Sequence, residues 1–80
     1  MTKAEVIDRL NQDANYYREE IAYMERNIVL AVNEMRSEDV KYIISQAERI
    51  IRYAKDIEDR KSKLREIETR ISIIERIDSI

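Results

Sequence analysis

No glycine, proline, cysteine, histidine, tryptophan or phenylalanine occurs among the 80 residues of this chain. Each absence removes a class of structure or chemistry. Sheet proteins draw on Gly and Pro for the special backbone angles of their turns, so strand-rich folds are disfavoured from the start. Without cysteine there are no disulfides, thiolate metal sites or thiol nucleophiles. Without histidine the commonest metal ligand and general base is gone. No apolar run approaches the ~20 residues of a membrane span, and no N-terminal stretch resembles a signal peptide. The formal charge of −2 gives a whole-molecule field that favours neither nucleic acid nor anionic lipid. These exclusions lead to an expectation of one cytoplasmic domain, residues 1–80, with no membrane association, no metal and no cofactor.

What remains is 40% charged residues together with abundant Ile, Leu, Ala, Glu, Arg and Lys. That mixture belongs to long helices. Ile7, Leu10, Ala14, Tyr17, Ile21, Met24, Ile28, Ala31 and Met35 recur at alternating steps of three and four, the heptad seam that keeps one stripe of a helix against a partner. Thr2 followed by Glu5 forms a capping-box pattern, so the first helix is expected over about 3–36.

A second seam runs through Val40, Ile43, Ala47, Ile50, Ala54 and Ile57, then through Leu64, Ile67, Ile71 and Ile74. Its flanking residues move from Ala47 and Ala54, four after Ile43 and Ile50, to Ile67 and Ile74, three after Leu64 and Ile71. The stripe is therefore expected to drift across the helix face. This seam is displaced by one residue from the phase of the first, and the break lies between Arg36 and Tyr42. Ser37, followed by Glu38 and Asp39, is the expected N-cap of a second helix over about 38–79, after a turn at about 36–38. Ending the first helix without glycine is expected to force a non-Gly residue into a left-handed conformation, costing ~1 kcal/mol or more.

Folding the chain back near Ser37 pairs residues whose numbers sum to 74 or 75, such as Ala31 with Ile43 and Met24 with Ile50. Several such layers match a large side chain with a small one, and Ala14 would face Lys61. The expected fold is all-α, an antiparallel two-helix hairpin of the coiled-coil type. One continuous helix is the competing architecture.

Two helices touching along one seam leave apolar surface uncovered, so assembly into a four-helix bundle or a higher homo-oligomer is expected. Tyr16, Tyr23 and Leu30, spaced by seven, and Ile44 and Ile51 beside the second seam are candidate oligomer-interface residues. Ile73, Ile74, Ile77 and Ile80 join them, because the 74–75 pairing leaves them beyond the start of the first helix.

Enzyme constellations are absent: there is no Gly-rich phosphate loop, no nucleophile motif, and the carboxylates lie almost wholly off the seams. No enzymatic activity is expected. Residues 49–65 hold seven basic residues against three acidic ones, and Tyr42, Arg49, Tyr53 and Arg60 fall nearly on one helical line. Tyrosine stacking on bases and arginine binding phosphate would make that line a nucleotide- or RNA-binding site. The alternative is pairing of these cations with Asp13, Glu19, Glu20 and Glu25 across the hairpin. Overall the sequence points to a non-enzymatic protein-interaction module: a small oligomeric helical regulator, inhibitor or adaptor, of a kind suited to a bacterium or phage. Its expected partners are itself and another protein. The alternative is an oligomer that sequesters a nucleotide or RNA.

Overall fold

A computed structural model describes residues 1–36 and 39–77. Two long helices, α1 (Lys3–Glu34) and α2 (Val40–Glu75), lie against each other as an antiparallel hairpin 63 × 14 × 14 Å in extent. The chain reverses, and the continuous rod is excluded.

Helix α1 begins where its sequence signals a start. The Thr2 hydroxyl accepts from the Glu5 amide at 3.1 Å and faces the Glu5 carboxylate at the same distance. It closes on Met35, whose amide bonds back to Ala31 and Val32, in an ordinary right-handed conformation (φ −67°, ψ −4°). Both helices stop short of the expected turn, since α1 ends at Glu34 and α2 opens at Val40. The N-cap of α2 is Asp39, whose carboxylate accepts from the Lys41 amide at 3.0 Å. Carboxylate and hydroxyl both serve as N-caps, and Asp39 sits two residues closer than Ser37 to the first periodic apolar position, Val40. The expected Ser37 cap lies outside the described residues. No non-Gly residue among the described ones takes a positive φ.

All nine seam residues of α1 are buried or half-buried. On α2 the drifting stripe is corrected. Val40 is 66% exposed and Ala54 is exposed, whereas Gln46 is only 4% exposed and Tyr53 and Arg60 are half-buried. The buried face of α2 is thus one unbroken heptad seam: Ile43, Gln46, Ile50, Tyr53, Ile57, Arg60, Leu64, Ile67, Ile71 and Ile74. Ile21, Met24 and Ile57 form its packed centre, flanked by Ile28, Tyr53 and Leu64.

The register is corrected too. Ile21 packs with Ile57, and Lys3 Nζ donates to the carbonyls of Glu75 and Ile77 at 2.9 Å each. Facing residues therefore sum to about 78, not 74 or 75, because α2 begins about four residues beyond the level where α1 ends. Ala14 accordingly does not face Lys61; it is Lys63 that lies 6.0 Å from the Tyr17 ring centre. The shift also removes the C-terminal overhang. Ile74 and Ile77 are half-buried at the level where α1 begins, while Ile73 is 54% exposed. Ile80 lies outside the described residues.

Candidate interaction surfaces

With the seam defined, two flanks border it, one on each side. One carries Glu20, Asn27 and Glu34 of α1, with Tyr16, Tyr23 and Leu30 further out. Facing them on α2 are Tyr42, Arg49 and Lys63. This flank is polar and internally bonded. The Tyr42 hydroxyl donates to Glu34 at 2.9 Å, and Arg60 Nε donates to Glu20 at 2.5 Å. Arg60 is held further by Asp59 at 2.6 Å, and Asp59 also pairs with Lys63 at 3.4 Å. Tyr16 and Tyr17 meet edge to face, ring centres 5.6 Å apart.

The electrostatics follow from these bonds. The Tyr16 hydroxyl and then the Arg60 guanidinium hold the Glu20 carboxyl below its ordinary value. The same contact with Glu20 raises Tyr16, and Glu34 raises Tyr42. Arg49 is raised by its hydrogen bond with Tyr53, and its Nη1 reaches Gln46 at 3.5 Å. The four residues of the candidate phosphate-binding line are thus split. Tyr53 and Arg60 sit on the seam, Tyr42 and Arg49 beside it, and Tyr42 and Arg60 each bond a carboxylate of α1. Of the cross-helix pairs the sequence offered for these cations, the one between Arg60 and Glu20 is realised; on the opposite flank a pair of the reverse sense joins Arg18 of α1 to Glu68 of α2 at 3.4 Å.

That opposite flank changes character along its length. Toward the open end it carries Asn11, Asn15, Arg18, Lys61, Arg65 and Glu68. Toward the turn it carries Val29 (59% exposed) and Val32 (51%) on α1, facing Val40 (66%), Ile44 (53%) and Ile51 (55%) on α2. Ala47 and Ala54 fill the spaces between. A shallow depression bounded by Glu25, Val29, Ala54, Glu58 and Lys61 confirms that these positions of the two helices share one side. A second depression, lined by Glu20, Tyr23, Tyr53 and Arg60, places the tyrosine column on the other.

The nine candidate interface residues are therefore not one surface. Ile44 and Ile51 belong to the aliphatic strip; Tyr16, Tyr23 and Leu30 lie across the hairpin from it. Val29, Val32 and Val40 complete the strip. Their signal was present in the sequence as apolar residues clustered near the turn, but only the register shows which of them share a side. Among the described residues, no group of acidic side chains is placed to hold a metal ion, and no helix is long and apolar enough to cross a membrane. The chain matches no family model, no curated protein and no solved structure.

Proposed function

We propose that this chain is a non-enzymatic protein-interaction module, a small helical regulator, inhibitor or adaptor that acts through its helix faces. The observation that carries the reading is the aliphatic strip at the turn half, where Val29, Val32, Val40, Ile44 and Ile51 are each more than half exposed. Scattered single apolar residues are normal on a surface; a contiguous strip on both helices, bordered by Glu25, Glu58 and Lys61, has the anatomy of an interface core with a polar rim. Nucleotide or RNA capture by Tyr42, Arg49, Tyr53 and Arg60 has less support, because Arg60 already directs its Nε to Glu20 and its Nη1 to Asp59, whose carboxylates oppose an anion there.

Photo-cross-linking side chains placed at Ile44 or Ile51 in the producing cell test the reading. Protein adducts are expected at these positions and not at Arg65 or Glu68 on the polar half of the same flank. Equal labelling at all four positions, or none at Ile44 and Ile51, would sink it.

A further inference from the structure

We propose that the aliphatic strip is covered by a second copy of this chain, docked antiparallel so that only the two turn halves overlap. The inference rests on the interaction-module reading and names its partner.

Surface area is the first support. A compact chain of 9.6 kDa exposes about 5,100 Å² by the usual scaling, whereas this hairpin exposes 6126 Å². The excess, about 1,000 Å², is close to the ~800 Å² per partner that a standard stable interface buries.

The second support is that one two-fold axis satisfies both helices at once. Residue r of α1 lies level with residue 78 − r of α2, as Ile21 does with Ile57. The strip is centred at Ala47 on α2 and between Val29 and Val32 on α1, and these two points lie at the same level. An axis across the strip there packs each helix against its own copy. On α2 it sets Ile44 against Ile51 of the second copy, Val40 against its Ala54, and Ala47 against its Ala47. The same operation on α1 sets Val29 against Val32 and brings Glu25 opposite Arg36, an attractive pair at each margin. Nothing in the choice of centre forced that charge match.

Other arrangements lose. Complete antiparallel overlap lays the aliphatic half on Asn11, Asn15, Arg18 and Arg65. Side-by-side packing with both turns at one end buries those polar groups against each other, where desolvation opposes association. Overlap of the turn halves leaves both polar halves in water.

The chain has no cysteine, so single introduced cysteines report the register directly. Light scattering on the full-length protein should give twice 9.6 kDa, and solution scattering a particle near ~100 Å, longer than the 63 Å hairpin. Ala47→Cys should link to itself under mild oxidation, and Glu25→Cys should link to Arg36→Cys in mixtures but not to itself. Ile44→Lys with Ile51→Lys should weaken association at least ~100-fold while circular dichroism shows helicity retained. A monomer at hundreds of micromolar overturns the proposal. So does a dimer of 63 Å length, or one in which Ala47→Cys fails to link. A monomer whose strip labels a different protein in the cell overturns the second copy and leaves the interaction-module reading standing.

Discussion

Gln46→Leu should stabilise the hairpin. Gln46 occupies a seam position at 4% exposure, between Ile43 and Ile50 and one heptad before Tyr53. Leucine has similar helix propensity and a similar volume, so neither backbone preference nor overpacking opposes it. Fully burying a leucine contributes about 1.5–3 kcal/mol relative to leaving it in water. Against this stands the hydrogen bond from Arg49, which at 3.5 Å is long and belongs near the low end of the ~0.5–1.5 kcal/mol range. Arg49 keeps its contact with Tyr53 and has access to water, so no donor is stranded. The expected net gain is about 1 kcal/mol, or ~4–8 °C in midpoint for a domain of this size. Thermal and urea unfolding followed by circular dichroism, at one fixed protein concentration, measure it. The drifting stripe read from apolar residues alone predicts no gain, because it places residue 46 outside the seam. A midpoint that is unchanged or lowered would refute the unbroken heptad.

Four further outcomes follow from named contacts. Ile57→Ala removes a side chain from the packed centre with Ile21 and Met24 and should cost about 2–5 kcal/mol in urea unfolding. That is a large part of the ~4–12 kcal/mol available to 80 residues, and a loss below 1 kcal/mol would contradict the assigned centre. Asp39→Ala removes the N-cap of α2 and should lower stability by about 1 kcal/mol, with Asp39→Ser restoring most of it. Acidification tests the Glu20 contacts: a carboxyl whose folded value is depressed stabilises above its ordinary 4.5, and that contribution is lost as pH falls below it. Glu20→Gln should flatten this part of the pH profile of unfolding; an unchanged slope would count against the Tyr16–Glu20–Arg60 contact. Lys3→Met deletes the two bonds to the Glu75 and Ile77 carbonyls, so amide exchange should accelerate in the last turn of α2 and not near Ile57.

The helical class, the nine-residue seam of α1, the Thr2 cap and the reversal of the chain were all legible because each depends on local pattern. The α2 seam was misread for a definite reason. Ala47 and Ala54 are apolar by type and Gln46, Tyr53 and Arg60 are not, so a search for apolar residues follows the alanines and invents a drift. Spacing was the better guide. Gln46, Tyr53, Arg60, Ile67 and Ile74 stand seven apart, in fixed phase with Ile43, Ile50 and Ile57. The register went wrong because the pairing assumed that the two helices end level at the turn. With Ile21 beside Ile57, α2 runs about four residues past the end of α1, and every facing pair shifts by that amount. The supposed overhang of Ile74 and Ile77 was that error expressed at the far end. The two flanks depend on the correct pairing, which is why Tyr16, Tyr23 and Leu30 were grouped with Ile44 and Ile51.

Polar residues on the α2 seam also bear on how this hairpin holds its register. A seam filled with isoleucine alone would pack almost as well after sliding by one heptad, since Ile50, Ile57 and Leu64 are nearly equivalent knobs. Arg60 breaks the equivalence, because its guanidinium is held by Glu20 across the seam at a site where its side chain is 29% exposed. Sliding by seven residues one way brings Arg60 to Asn27, which has no charge to offer. Sliding the other way brings it to Asp13, a shorter acid, and moves the turn centre into the last turns of α1. Gln46 offers no such discrimination, because its partner Arg49 lies on the same helix and moves with it. Arg60 occupies a position where a leucine would bury more apolar surface. The hairpin thus gives up part of its hydrophobic stabilisation for a single register. That register has a consequence outside the chain. The strip formed by Val29, Val32, Ile44 and Ile51 exists only when residue 31 lies beside residue 47, and a heptad slip would scatter it along the rod. A core fixed in register, with an outer face that registration alone assembles, is what the proposed interaction module would need.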